Sequence, residues 1–323
     1  MSHLLYLSSA DVERLPITTA QVISTLEAMF RRKSLGHALQ RPKLSLSPSP
    51  GAMAQALLGV DRSAHLAAVK CVSVTPNNTA RGLPNVQALI VLSDTLTGQV
   101  TAVMDGTWIT GVRTAACSAV GARYLATPDV ASVGFVGAGL QARTHLDALQ
   151  VACPSIRRLT VHSRTKEGAE QFMALARSYN LQARHSVHAR DAVEGHGMVV
   201  TSVAPSPGFV PFLDPNWISP GTYVVAVDLG CSWMPEGWGE TFDVVCTDDI
   251  EQSEFRGRSA TMLAPNRFDA ELGDIILGNR LGRTSPTQKS TLLFAGTALA
   301  DLAVAQLVDQ VARSQGAGTF LPV

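Results

Sequence analysis

The sequence predicts an α/β protein with two parts: a doubly wound parallel sheet and a second, mainly antiparallel α+β domain. Three observations lead there. The chain has 323 residues, 46% of them apolar, which is enough to build two cores. Up to Asp105, strand-like runs follow one another with few helices between them. Beyond Gly111, short β-rich runs alternate with helical segments of about ten residues, the pattern of parallel strands joined by crossovers.

In chain order, Thr18 or Thr19 is placed to cap a helix running to about Gly36, with Val22, Ile23, Leu26, Met29 and Phe30 at helical spacing. The Pro/Ser-rich stretch from Arg41 to Gly51 reads as extended or loop. Strands are expected at Leu66–Thr75, Gln87–Ser93 and Val100–Asp105, separated by turn residues at Pro76-Asn77-Asn78 and Thr95–Gly98. An alanine-rich helix follows at Val112–Leu125. The alternating part has strand runs at Ser132–Val136, Arg158–His162, Met198–Val203, Tyr223–Val227 and Asp243–Cys246. Its helices are expected at Gln141–Val151, Lys166–Tyr179 and Ala189–His196, and a last helix at Thr291–Val311.

Composition excludes several classes of function. Lys plus Arg and Asp plus Glu are both 26, so the net charge is zero and no field attracts nucleic acid or an acidic membrane. No apolar stretch approaches the roughly 18 residues of a membrane helix, and Met1–Arg14 lacks the pattern of a secretory signal. The five cysteines are scattered and never form CxxC, as expected of reduced thiols in a cytoplasmic protein. The eight histidines show no metal-ligand spacing, and no GxSxG elbow occurs, so neither a metal nor a nucleophile is expected. Charged residues make up only 16% of the chain, so part of its surface is expected to be covered by another subunit.

The most specific local signal is the run Ser132-Val133-Gly134-Phe135-Val136-Gly137-Ala138-Gly139-Leu140-Gln141-Ala142. Gly137 permits a tight turn after a buried strand, and Gly139 lets backbone approach a pyrophosphate. Ala142 keeps the helix close to the sheet, and that helix offers amide donors and a positive dipole end. Strand before, helix after and a second strand on schedule form the context of a Rossmann dinucleotide site. The second strand ends in His162-Ser163-Arg164-Thr165 rather than in an acid that would accept from a ribose 2′-OH. A guanidinium between two hydroxyls suits a 2′-phosphate, so NADPH is expected over NADH. Stacking of Arg164 on adenine, or exposure to solvent, stays open.

Chemistry then belongs to the cofactor, and cations of the first domain are the candidates for orienting a substrate. Arg41 sits beside a proline. Lys70 lies inside the apolar run Leu66–Val72, where a lysine is costly without an anionic partner. Arg113 opens the alanine-rich helix. Converging on one pocket, these cations would clamp a carboxylate; singly, each could be a surface charge or a structural ion pair.

Taken together, Lys70-Cys71-Val72-Ser73-Val74 with Pro76-Asn77, Gly82-Leu83-Pro84, Asp105-Gly106-Thr107 through Thr110 to Arg113-Thr114-Ala115-Ala116, the glycine loop and Glu271-Leu272-Gly273-Asp274 resemble the ornithine cyclodeaminase/mu-crystallin family. The resemblance covers about residues 40 to 305. It implies a homodimer whose substrate and dimerisation domain is discontinuous, 1–114 with 298–323, around a Rossmann domain at 115–297. It also implies that Arg41, Lys70 and Arg113 bind the substrate carboxylate, with Lys70 near the reacting carbon or nitrogen. Thr114 matches a cofactor-phosphate position, and Ser202 and Val203 match positions near the nicotinamide ribose.

Two departures bear on the substrate. Cyclodeaminases carry a catalytic Asp where this chain has Gly230 in Val227-Asp228-Leu229-Gly230-Cys231-Ser232-Trp233. Asp228, two residues earlier, is its candidate replacement or else a strand-end structural residue. No acid occurs between Arg41 and Asp61 to meet a side-chain ammonium such as that of ornithine. The expected activity is therefore NADPH-dependent reduction of a carboxylate-bearing ketimine to an L-amino acid, the ketimine being pyrroline-2-carboxylate or the imine of a small 2-oxo acid. An acidic substrate such as iminosuccinate would need a further cation, for which Lys43 is available. The alternatives are an NAD-dependent amino-acid dehydrogenase or cyclodeaminase, and a non-catalytic NADPH-dependent binder.

Overall fold

A computed structural model describes residues 3–76, 78–204, 208–258, 262–263, 265 and 267–322. Asn77, part of an expected turn and of the family pattern, lies outside the described residues. The chain divides into two compact units, Met1–Arg113 with Gly296–Val323, and Thr114–Ala295.

The first unit starts with strand β1 (His3–Leu7) and the short helix α1 (Ser9–Arg14). Helix α2 (Thr19–Ser34) is capped by Thr18, whose hydroxyl accepts from the Gln21 amide while the Gln21 side chain accepts from the Thr18 amide. Its buried residues are the five apolar positions read from the periodicity. Strands β2 (Ala38–Gln40), β3 (Leu44–Leu46), β4 (Met53–Asp61), β5 (Leu66–Val74), β6 (Val86–Asp94) and β7 (Val100–Asp105) follow. β2 to β7 pair antiparallel, and β1 joins β7 in parallel. Helix α3 (Thr107–Leu125) starts five residues before the expected Val112 and carries the boundary between the units.

In the second unit the parallel strands are β8 (Ser132–Val136), β9 (Arg158–His162), β10 (Gln182–His185), β11 (Met198–Thr201), β12 (Tyr223–Ala226), β13 (Val244–Thr247), β14 (Ala270–Glu271) and β15 (Ser290–Leu292). The helices are α4 (Leu140–Ala152), α5 (Lys166–Ser178), α6 (Ile250–Arg258) and α7 (Leu272–Leu277). The sheet runs β10-β9-β8-β11-β12-β15-β13-β14, every pair parallel. β8, β11, β12, β13 and β15 are buried at every position, as a sheet covered on both faces requires. The strand order reverses between β8 and β11, the switch point at which open α/β sheets bind ligands.

Helix α8 (Ala298–Gln315) and strand β16 (Thr319–Pro322) close the first unit. α8 lies on β4, β5 and β6 and packs against α2, while β16 pairs with β1. Three expectations about elements are corrected. The helix expected from Thr291 begins only at Ala298, because Ser290–Leu292 enters the parallel sheet between β12 and β13. A short buried apolar run has no period to tell strand from helix. Gly296 at φ +84° then breaks the run, and Thr297 caps α8 by accepting from the Ala300 amide at 3.0 Å. The helix expected at Ala189–His196 is a single 3-10 turn, Ala189–Ala192. Finally, β4 falls where no strand was anticipated.

No helix among the described residues is long and apolar enough to cross a membrane. All five cysteines are free thiols.

Gly134 in β8 fixes how closely the chain around Ala192 packs, since a Cβ there would overlap the Ala192 carbonyl oxygen. Gly134→Ala is expected to cost about 3 kcal/mol or more, read as a fall in the urea midpoint. An unchanged midpoint would contradict this packing.

Candidate active site

In the first unit, the alternation of β5 decides where Lys70 goes. Ala68, Lys70 and Val72 share the buried face, while Val69, Cys71 and Ser73 point outward.

 The Lys70 side chain is 2% exposed, and the anionic partner that its position demands is Asp301 of α8. Lys70 Nζ stands 2.6 Å from Asp301 Oδ2, and Arg113 Nε donates to Asp301 Oδ1 at 3.0 Å. Thr110 Oγ1 accepts from Lys70 Nζ at 3.5 Å and donates to the Gly106 carbonyl at 2.7 Å. Burial pulls the Lys70 ammonium down to about 8; Asp301 opposes that fall, and Arg113 adds to it.

Two expected carboxylate binders, Lys70 and Arg113, are therefore brought together on one carboxylate. Arg41 is exposed and follows Gln40, whose side-chain oxygen accepts from the Leu299 amide at 3.4 Å. That bond sets the end of β2 beside the first turn of α8, two residues before Asp301. Asp301 is the residue that sequence reading missed. Its available signal was the unexplained lysine in an apolar strand, which called for an acid without saying which one.

In the second unit, the loop after β8 and the ends of β9 and β11 enclose a cavity of about 690 Å³. Gly137, Ala138, Gly139, Ser163, Arg164, Thr165, Ser202 and Val203 line it, with Arg143, His162, Phe209 and Phe212, which sequence reading did not single out. Gly137 has φ +106°, and a Cβ there would stand 2.9 Å from Ser202 Oγ, so the turn requires glycine. Around Gly139 a Cβ would meet nothing within 4 Å, leaving open room where a pyrophosphate approaches backbone. Ser202 Oγ is buried and unpartnered. These features fit a dinucleotide: room at the second glycine, a helix N-terminus behind it and an unsatisfied hydroxyl at the switch point.

Leu140, Gln141 and Thr114 do not line this cavity. Leu140 is exposed on the first turn of α4, Gln141 turns a buried Oε1 inward and Thr114 is buried. The turn of α3 after Thr114 is tied to α4 through a short relay. The Gln141 carbonyl accepts from His145 Nδ1 at 2.7 Å, which leaves His145 Nε2 to accept from the Ser118 hydroxyl at 2.9 Å, one turn beyond Thr114. Burial holds His145 down at about 4, so this link stays neutral and intact at physiological pH.

Asp228 follows β12 and accepts four hydrogen bonds: from Ser232 Oγ at 2.6 Å, Thr201 Oγ1 at 2.8 Å, the Gly230 amide at 3.2 Å and the Val203 amide at 3.4 Å. Burial raises its pKa against the lowering effect of these donors. The carboxylate thus ties the ends of β11 and β12 together and holds the Val203 wall of the cavity.

Against this geometry, residues 3–316 match the ornithine cyclodeaminase/mu-crystallin family. The chain belongs to that family. It is 29% identical over 316 residues to the ketimine reductase mu-crystallin of Rattus norvegicus, covering 94% of this chain and 96% of the relative. Among solved structures, it is similar to the Δ1-pyrroline-2-carboxylate reductase of Thermococcus litoralis in complex with NADH and L-proline. That likeness has a TM-score of 0.86 and 27% identity, and covers 98% of this chain and 99% of that one. An archaeal alanine dehydrogenase dimer with bound NAD has a TM-score of 0.85 and 26% identity, with 99% of each chain covered. As a member of this family, the chain is an oxidoreductase.

Gly139→Val places a side chain in open space, so the fold is expected to survive while dinucleotide affinity falls about 10- to 100-fold, or about 1.4 to 2.8 kcal/mol. Fluorescence titration with NADH and NADPH checks this; undiminished affinity would mean that the nucleotide does not pass over Gly139.

Proposed function

We propose that this NAD(P)-linked oxidoreductase reduces a small ketimine that carries one carboxylate, with pyrroline-2-carboxylate the best-fitting type, and yields an L-amino acid. The observation that carries the reading is the charge count at the buried cluster. Two cations, Lys70 and Arg113, share one anion, Asp301, which leaves one positive charge to meet one carboxylate. The segment that follows Arg41 offers no acid to the substrate's far end. After Arg41 the next acid in sequence is Asp61, which is buried and already paired with Arg32 at 2.8 Å. A substrate with a distal ammonium, as in ornithine, would lose hydration there without compensation.

In this reading Arg113 and Arg41 hold the carboxylate, with bidentate guanidinium geometry fixing its plane. Lys70, protonated below about pH 8, either shares that task or keeps the imine nitrogen protonated. A protonated imine accepts hydride far more readily than a neutral one, so the placed proton lowers the barrier. The dinucleotide, when bound, supplies the hydride. Asp228 acts as a positioning residue for the Val203 wall. Gly137, Ala138 and Gly139 serve the phosphate end, with the first turn of α4 at Leu140 and Gln141 behind them, and Ser202 the ribose.

For the nucleotide we propose NADPH, supported by Ser163, Arg164 and Thr165 on the cavity wall after β9 and by the lack of an acid at that strand end. The bound NADH and NAD of the two similar structures favour a second reading, an NAD-linked amino-acid dehydrogenase.

We also propose that the partner is a second copy of this chain. On the outer face of the first sheet, Leu58 of β4, Val69 of β5 and Val91 of β6 stand side by side in register. The neighbouring row holds Ala56, Cys71 and Leu89. Leu58, Val69 and Leu89 are 54%, 39% and 45% exposed, an apolar face of the kind that marks an interface.

Two outcomes are expected. In an assay of nicotinamide absorbance, NADPH with pyrroline-2-carboxylate is consumed, Arg113→Ala loses about 100-fold or more in kcat/KM (a carboxylate contact of about 2.7 kcal/mol), and Arg164→Asp shifts preference toward NADH. If no 2-imino acid is reduced with either nucleotide, the reductase reading fails. In light scattering, the wild type is a dimer and the Leu58→Glu/Leu89→Glu variant a monomer; a dimer that survives both charges would place the interface elsewhere.

A further inference from the structure

Asp301 has no place in the reading above beyond its charge, yet the fold goes to some length to hold it. It lies in the first turn of α8, where the helix dipole favours a carboxylate. Thr297 caps that turn, and Gln40 accepts from the Leu299 amide. A Cβ on Gly59 would stand 3.2 Å from Ala298 and Leu299, so β4 presses directly on the same turn. Gly296 leaves space for Arg113: a Cβ there would come within 2.8 Å of Nη1 and 3.3 Å of Nη2. Asp301 is 1% exposed and offers one oxygen to each cation.

We infer that Asp301 is the positioning residue of the carboxylate site, keeping the Lys70 ammonium charged and held beside Arg113 so that the two cations act as one unit. This rests on the carboxylate-binding reading above. A lysine this deeply buried would otherwise shed its proton, because burial disfavours the ammonium and Arg113 repels it. Among the described residues, the charged groups that face Lys70 are Asp301 from α8 and Arg113 from α3, with the Thr110 hydroxyl beside them. Asp301 is the only one of these that favours the ammonium by its charge. Its two oxygens also set the separation of the cations, since one rigid carboxylate bridges both. A buried ion pair with a purely structural role would affect stability but would not need to govern proton loss from Lys70.

The test follows the proton rather than turnover. The chain has only five lysines, so lysine labelled with carbon-13 at Cε yields a spectrum in which a Lys70→Arg variant assigns the buried signal. In nucleotide-loaded wild type, Lys70 is expected to titrate near 8. In Asp301→Asn its midpoint should drop by about one to three pH units, the usual effect of a removed opposite charge. Asp301→Glu should restore it. The high-pH limb of kcat/KM for imine reduction should move by the same amount, because activity that needs the ammonium is lost as pH rises through the Lys70 midpoint. A folded Asp301→Asn protein with the wild-type midpoint overturns the inference, even if its activity or stability has fallen. Should that variant not fold, Arg113→Gln decides: losing the like charge must raise the Lys70 midpoint, and an unmoved midpoint overturns the inference. Since the resonance is read without substrate, its failure is separable from failure of the reductase reading, which would appear as a wild type that titrates as expected but reduces no imine.

Discussion

The buried contact of Lys70 and Arg113 with Asp301 is the interaction on which the first unit's architecture turns. A lysine on the inner face of β5 cannot be carried by an apolar core, and an aspartate inside α8 cannot either. Each makes the other tolerable only if the C-terminal helix comes back to lie on the sheet. The discontinuity of the unit, 1–113 with 296–323, is thus tied to a charge requirement as well as to apolar packing. The proposed chemistry rests on the same contact, because two cations on one anion leave a single positive charge in a low-dielectric setting.

The second unit works by different means. Its cavity is shaped by backbone: a glycine turn that no side chain could follow at Gly137, and open space at Gly139. Hydrogen bonds then steady the walls, with the neutral His145 linking α4 to Ser118 and the Asp228 carboxylate joining the ends of two strands. Arg113 and Thr114 are consecutive in α3 yet fall in different units.

Much of this was legible in the sequence because its signals are local. The five buried positions of α2 follow the helical period, and the glycine loop sits in its strand–helix context. The apolar alternation of β5 turned a lone lysine into a question about an acid. The answer was not legible, because Asp301 lies far along the chain and nothing in its own surroundings marks it. Ser290–Leu292 was hidden for another reason. A fully buried parallel strand is apolar throughout, and it runs into a helix of similar composition. Arg143, Phe209 and Phe212 reach the cavity through the packing of α4 and of the loop after β11, a tertiary outcome that no spacing rule encodes.

The central claim is that one net positive charge in the first unit selects one carboxylate. Calorimetric titration of the nucleotide-loaded protein with pyrrole-2-carboxylate, and in parallel with the uncharged pyrrole-2-carboxamide of nearly the same shape, tests it most directly. The account predicts that the acid binds and that the amide binds at least about 100-fold more weakly, a difference of about 2.7 kcal/mol. Equal affinity for the two would show that shape rather than charge selects the ligand, and would contradict the account.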